Sequence, residues 1–337
     1  MPKRAGNLMS RIAELENLHE AFLRAAKGKS GKRAVSKFRE DLDSNLASMG
    51  SQLLDGTFRF GNYHFFTVFD PKQRTICAAS FPERVAFHAM MRICHPVFDA
   101  YQTNDSFASR KGRGQYAALE RTQQLTRRYR WFAKLDVCKY FDSIDHQILL
   151  THLSRLFKDR QLLLYFRNLI DGYEVSSGRG LPIGNLTSQY FANHYLSIAD
   201  HYAKQQLGVE AMVRYMDDII FFANDKVKLM YQVYGYAVFA KEKLHLELHL
   251  PVVNRTSKGL PFLGYVVMPH YLRLNGRSLR RFRYKLGWLQ YELATEAIDD
   301  AVYVRHATSL LSFVEKAAVK SLKQKMQHIP GMYPQGL

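Results

Sequence analysis

At 337 residues the chain is longer than one hydrophobic core usually grows, so sub-domains with clefts between them are expected. Its 47% hydrophobic and 23% charged residues exclude an intrinsically disordered chain. A formal charge of +18 costs self-repulsion and points to a polyanionic partner; with no stretch near the roughly 20 unbroken apolar residues of a spanning helix, nucleic acid is favoured over a membrane.

Met1 to Ser10 is basic and polar rather than an apolar secretory signal, so a cytoplasmic location is expected. Cys77, Cys94 and Cys138 are odd in number and lack metal-type spacing, which predicts free thiols. Ile12, Leu15, Phe22 and Leu23 repeat at helical spacing up to Gly28. After the basic connector KGKSGKR, the residues Val35, Phe38, Leu42, Leu46, Met49 and Leu53 predict one helix stopping at Gly56. From Phe58 to Phe81, aromatic and β-branched residues flank DPKQR, which predicts a hairpin with a basic tip. A helix from Pro82 to Tyr101 starts with Pro at a permitted first-turn position. A Gly-rich loop, SRKGRGQ, leads to a second helical stretch and then to a strand in RWFAKLDV.

Helical patterns resume from His146 to about Asp171 and from Thr187 to Gln206. AMVRY and IIFFA predict a β-hairpin around MDD. LHLELHL alternates strictly, predicting a strand with Leu244, Leu246, Leu248 and Leu250 on one face. His245, Glu247 and His249 share the other face, without a third convergent partner for zinc. LPFLGYVVMP reads as one more strand. The basic stretch RSLRRFRYKLGWLQYELATEAI reads as a helix, followed by a last helical segment around Leu310 to Met326.

Two consecutive acids, Asp217 and Asp218, sit between apolar strands, and Asp136 ends a third strand far away in sequence. Asp is a common turn residue, which alone would explain the pair. Were the strands neighbours in one sheet, however, their carboxylates would repel unless a cation intervened. Mg²⁺ is a hard ion that takes one or two carboxylates and completes its shell with substrate phosphates. Two such ions about 3.5 to 4 Å apart support phosphoryl transfer. Together with the charge, this points to a phosphoryl-transfer enzyme acting on nucleic acid.

YMDD (Tyr215 to Asp218), preceded by KLDVCKYFDSIDH and GLPIGNLTSQYFANHYL, resembles the palm of a reverse transcriptase. PKQRTICAASFPERVAFHAM is similar to the fingers motifs of bacterial members, NDSFASRKGRGQYAAL to the segment before the first catalytic strand, and LPFLGYVVMP to the strand leading into the thumb. The resemblance implies an α+β right-hand polymerase fold with fingers, a palm whose antiparallel sheet packs on helices, and a small helical thumb. The implied division is an N-terminal helical extension (1–56), fingers (57–133), palm (134–272, with fingers helices interleaved at about 147–185) and thumb (273–337). In LPIGNLTSQ, Ile183 stands where most reverse transcriptases carry Gln, followed by Ser188-Gln189. That combination resembles the enzymes of diversity-generating retroelements, which copy a template-repeat RNA with errors at adenine and deliver the cDNA to a variable gene. A group II intron or defence-associated reverse transcriptase, a non-catalytic nucleic-acid scaffold and a Mg²⁺ nuclease are the alternatives.

The resemblance implies roles residue by residue. Asp136, Asp217 and the Val137 carbonyl would hold two Mg²⁺ ions, with Mn²⁺ as a substitute, and Asp218 would be a third carboxylate of less direct role. Packing alone would explain Phe141, but its position matches the ring that blocks a ribose 2′-hydroxyl. Ile183, Gly184 and Gln189 would lie near the incoming nucleotide and template. Lys72 and Arg74 would contact the triphosphate. Arg84, Arg110, Arg280, Arg281, Arg283 and Lys285 would contact nucleic acid. Asp142 and Asp145 read as helix caps. Template RNA, cDNA or primer, deoxynucleoside triphosphates and a small basic helical accessory protein that oligomerises are the implied partners.

Overall fold

The computed structural model describes residues 3–69, 73–315 and 317. Four helices open the chain: α1 (Met9–Ala13), α2 (Leu15–Ala26), α3 (Arg33–Glu40) and α4 (Leu42–Asp55). The single helix expected through Val35 and Leu53 is therefore two, because Asp41 leaves helical geometry at φ −122°, ψ 51°. Gly56 ends α4 in the left-handed region, φ 76°, where a residue without Cβ fits best. Within α2 the buried face is Leu18, Ala21, Phe22 and Ala25, whereas Leu15 and Leu23 face solvent, contrary to their expected place in the apolar stripe.

The predicted hairpin forms from β1 (Tyr63–Phe69) and β2 (Gln73–Ala79), antiparallel in the register Tyr63↔Ala79. Its tip, including Lys72, lies outside the described residues. Next, α5 (Phe81–Tyr101) starts with a reciprocal cap between Ser80 and Glu83. The buried Glu83 carboxylate also accepts from the Gly61 and Asn62 N–H groups, tying the start of the hairpin to the helix.

Then come α6 (Gln115–Arg128), β3 (Trp131–Leu135), α7 (Tyr140–Ser143), α8 (His146–Leu156), α9 (Arg160–Asp171), α10 (Leu186–Gln205), β4 (Ala211–Tyr215), β5 (Asp218–Ala223), α11 (Lys226–Leu244), β6 (Val252–Arg255), β7 (Leu260–Phe262), β8 (Tyr265–Val267), β9 (Leu272–Leu274), α12 (Gly276–Ala294) and α13 (Asp300–Glu315). The helical stretch expected from His146 to Asp171 is the pair α8 and α9. The central sheet has the order β4-β5-β3-β6, with every pairing antiparallel. Its two faces enter different cores. Ala133, Leu135, Met212, Ile219 and Phe221 pack among the helices, while Phe132, Val213, Ile220 and Phe222 pack against the three-stranded sheet β7-β8-β9 and α12. A sheet covered on both sides explains why AMVRY and IIFFA read as continuous apolar runs rather than alternating ones. The architecture is α+β, as expected.

LHLELHL is not a strand. Leu244 ends α11, His245 caps it at φ 51°, and the segment then makes a lone bridge from Leu248 to Val137. Leu250 is 94% exposed, so the alternation came from a helix end joined to an extended run. LPFLGYVVMP is likewise two strands, β7 and β8, turning at Leu263-Gly264 with φ of 47° and 87°. The final helical segment is α13 up to Glu315; apart from Ala317, its expected continuation to Met326 lies outside the described residues. Among the described residues no helix is long and apolar enough to cross a membrane, and Cys77, Cys94 and Cys138 are free thiols.

Candidate active site

The pairings Leu135↔Ile219 and Tyr215↔Asp218 put Asp136, just past the end of β3, beside the turn that joins β4 to β5. The three acids, two from one hairpin and one from a strand some 80 residues away, meet at one end of the sheet. The turn is a two-residue one, Met216-Asp217, with φ 56° at Met216 and a negative φ at Asp217, the pattern of a type II′ hairpin. A side chain at positive φ costs on the order of 1 kcal/mol, so surrounding contacts must hold it.

Arg214 supplies them, and the sequence reading did not single it out. Its side chain is wholly buried, and each of its five N–H donors has an acceptor. Nε donates to Asp200 Oδ2 at 2.7 Å, Nη1 to Asn193 Oδ1 at 2.7 Å and to the Met216 carbonyl at 3.2 Å, and Nη2 to Gln102 Oε1 at 3.0 Å and the Asn193 carbonyl at 3.2 Å. The turn is thus pinned from beneath through its own backbone. The signal was available: an arginine in the middle of the apolar run AMVRY must be paired.

The three acids differ electrostatically. Asp218 makes an ion pair with Lys134 at 2.7 Å. Asp217 is pushed up to about 6, first by burial and then by the charges of Asp136 and Asp218, with Arg74 pulling the other way. Arg74 lies exposed on β2, on the strand that pairs with β1 in the hairpin. Among the described residues the Asp136 carboxylate has no hydrogen-bond or ion-pair partner. The site is therefore a pair of under-compensated carboxylates beside one that is already neutralised.

Phe141 is half-buried, edge-on to Tyr140 at 5.8 Å, with its carbonyl taken by the Leu181 N–H at 2.8 Å. Asp145 caps α8 through the Ile148 N–H and bonds His245 Nδ1 at 3.0 Å. The hairpin is docked by Cys77 N–H donating to the Ile183 carbonyl at 2.7 Å. Gly184, at φ 118°, lies so close that a Cβ would stand 2.8 Å from the Cys77 carbonyl oxygen, which no side chain tolerates without moving β2.

Arg84, Gly184 and Gln189 line one cavity of about 370 Å³ with Lys29, His88 and Asn185. The Asn185 amide nitrogen is buried without a partner among the described residues. Burial, then Arg84, holds Lys29 below its ordinary value; burial also lowers Arg84. Burial followed by Arg84, Arg24 and Lys29 brings His88 down to about 4. A folded-state value near 4 against 6.5 unfolded means the unfolded chain binds the extra proton in that window. Stability is therefore retained above pH 6.5 and lost as pH falls towards 4, by about 1 to 3 kcal/mol after allowance for solvent screening. Urea unfolding at pH 7 and pH 4.5 should show His88→Gln losing less stability in acid than the parent; equal losses would exclude His88 as the cause.

Arg110 departs from expectation. Its guanidinium is nearly buried, paired with Asp99 at 2.6 Å and bonded to the Thr103 and Ser106 carbonyls, so it clamps its own loop instead of offering donors to nucleic acid. Arg280, Arg281, Arg283 and Lys285 are exposed along α12, interleaved with exposed Tyr284, Trp288 and Tyr291.

The family model described as reverse transcriptase (RNA-dependent DNA polymerase) matches residues 71–267. A Saccharomyces cerevisiae protein named for intron 1 of COX1/OXI3 is 24% identical over 275 residues, covering 76% of this chain and 31% of its own length. Nuclear intron maturase 1, mitochondrial, of Arabidopsis thaliana is 29% identical over 83 residues, covering 25% of this chain and 12% of its own. The chain thus spans a third or less of these curated relatives. Among solved structures, telomerase from Candida albicans, in complex with a TWJ fragment of telomeric RNA, aligns at TM-score 0.48 and 15% identity, over 71% of this chain and 52% of that one. Telomerase from Candida tropicalis aligns at TM-score 0.48 and 10% identity, over 81% and 55%.

Proposed function

The chain belongs to the reverse transcriptase (RNA-dependent DNA polymerase) family, and from that premise we propose that it extends a DNA primer on an RNA template at Asp136 and Asp217. The observation that carries the reading is the meeting of these two carboxylates, one raised to about 6 and the other without a partner among the described residues. Among the described residues no three His, Cys, Asp or Glu groups gather as a ready-made metal cluster. A pair of hard oxygen donors still fits Mg²⁺, which leaves positions for substrate phosphates. Asp136, Asp217 and the Val137 carbonyl would hold it, and bound there it supplies activation of the primer hydroxyl and stabilisation of the leaving pyrophosphate. Asp218, held by Lys134, would support the pair rather than bind directly.

Around that centre the chain's own groups take distinct tasks. Arg74, with Lys72, would neutralise the triphosphate, a charge-assisted contact that matters most as pyrophosphate departs. Phe141 would exclude a ribose 2′-hydroxyl sterically. Gly184 and Gln189 would border the template, whose phosphates the Lys29–Arg84 cavity suits. Arg280, Arg281, Arg283 and Lys285 would track the template–primer backbone from α12. In this reading residues 1–56 are an N-terminal extension, 57–133 fingers, 134–272 palm with inserted fingers helices, and 273–337 thumb of a right-hand polymerase.

The finer reading is a diversity-generating enzyme, making adenine-mutagenic cDNA from a template-repeat RNA with a small basic oligomeric accessory protein. Its support is Ile183: an aliphatic side chain gives shape without a hydrogen bond, and a pocket lacking polar contacts discriminates by only about 1 to 3 kcal/mol per group. The likeness to the yeast intron protein favours a second reading, an intron-type enzyme of ordinary accuracy. Sequencing cDNA made with Mg²⁺ on a defined RNA separates them. Substitutions concentrated at template adenines, reduced by Ile183→Gln, are expected. Accurate cDNA from the parent would support the intron-type reading, and no cDNA, even with RNA and accessory protein from its own locus, would overturn the polymerase.

A further inference from the structure

We infer that the end of the central sheet remote from Asp136 carries a second nucleic-acid site, which grips the phosphate backbone of a folded, double-stranded RNA element outside the polymerase cleft. Trp131 opens β3 and Asp136 follows its other end, so five residue rises of about 3.3 Å separate the two by roughly 16 Å. At the Trp131 end lies an open cavity of about 810 Å³ whose lining includes Arg127, Arg128, Arg130 and Arg255 and no acidic residue. All four arginines are exposed.

Nearby acids are otherwise engaged. Glu210 pairs with Lys228 at 2.9 Å, though it also feels Arg128, and Asp225 caps α11 through the Lys228 N–H. Four like charges around one concavity repel each other, a cost that an anion occupying the cavity relieves.

The aromatic rings decide which kind of nucleic acid fits. Proteins that hold single strands offer bare rings on which bases stack. Here the rings are already covered by the chain's own cations. Arg255, directly across from Trp131 in the β3–β6 register, lies 5.4 Å from that ring's centre; Lys226 lies 5.4 Å from it too, and Arg128 lies 5.5 Å from the buried ring of Tyr129. What remains on offer is guanidinium donors in fork geometry, suited to phosphate oxygens and to helical shape rather than to bases. The inference rests on the reverse transcriptase reading only in choosing RNA as the polyanion.

The test is the affinity of the full chain for a blunt RNA duplex and for an unstructured single strand of equal length, measured across a salt series with the Arg128→Ser/Arg130→Ser/Arg255→Ser triple variant. Duplex affinity is expected to fall about tenfold or more, and the slope of log K against log salt by about two to three. The Arg→Lys triple should keep most of the slope. Single-strand affinity and Asp217-dependent primer extension on a homopolymer template should stay at parental levels, which keeps this outcome separate from the fate of the polymerase reading. Unchanged duplex affinity and slope would overturn the inference. So would parallel loss of single-strand binding and primer extension, and so would an acidic protein, rather than RNA, whose binding the triple variant abolishes.

Discussion

Asp217→Ala is expected to lower cDNA synthesis by about 10³-fold or more, the scale of removing a group that acts in the transition state. The same position should show the opposite effect on stability. In the folded chain the Asp217 carboxyl is raised to about 6, above the 3.8 of an ordinary aspartate, with burial the first cause and Asp136 the next charge to act on it. A folded value above the unfolded one means the native state holds the proton more tightly. Its contribution is fully present below pH 3.8 and is lost as pH rises through 6, a difference of about 2 to 3 kcal/mol at neutral pH. Asp217→Asn should therefore be more stable than the parent at pH 7.5 and equal to it near pH 3.5, while inactive at both. Mg²⁺ should raise the melting temperature of the parent but not of the variant, because a cation relieves the repulsion that the amide has already removed. Thermal melts at the two pH values with and without Mg²⁺, beside primer extension, decide the matter. Retained synthesis would remove Asp217 from the site, and a less stable Asp217→Asn would show that its carboxylate is not under electrostatic strain.

The acids themselves were legible because strands buried on both faces leave few reasons to spend two charges at a turn. What one line of sequence could not reveal was how they differ. Asp218 is neutralised by Lys134, a partner on the neighbouring strand at 2.7 Å, and only the register tells which of two adjacent aspartates faces it. The same limit appears in LHLELHL, whose alternation fits a strand locally but whose first leucine the α11 helix had already claimed. Arg110 looked like a nucleic-acid contact for a comparable reason: composition registers its charge, and only tertiary structure shows Asp99 consuming it. Gly184 was picked out within its motif, while the reason for a glycine there is the Cys77 carbonyl, a neighbour more than 100 residues distant in the chain. Local pattern thus singles out residues by type and spacing, while what each one touches is set by neighbours distant in the chain.

Arg214→Met should be the most destabilising single change in the candidate site, costing about 3 to 5 kcal/mol, because it strands the fully buried Asp200 carboxylate without its cation. That number alone would describe any buried ion pair. The functional claim rests on the bond from Arg214 to the Met216 carbonyl, which holds a turn residue at φ 56°. Arg214→Met/Asp200→Leu separates the two roles. Replacing both charges with apolar groups removes the unpaired carboxylate, so the double variant should regain much of the lost stability. It cannot regain the five-way fork that joins Gln102 and Asn193 to the turn, so cDNA synthesis should stay depressed by at least about tenfold. Arg214→Lys tests the same point from the other side: it keeps the charge beside Asp200 but loses the fork geometry, and should lie between the parent and Arg214→Met in stability while falling well below the parent in activity. Urea unfolding midpoints and primer extension on the three variants make the comparison. Parental activity in the refolded double variant would mean the buried network holds the fold alone; persistent inactivity at restored stability would make it the support that keeps Asp217 in reach of Asp136.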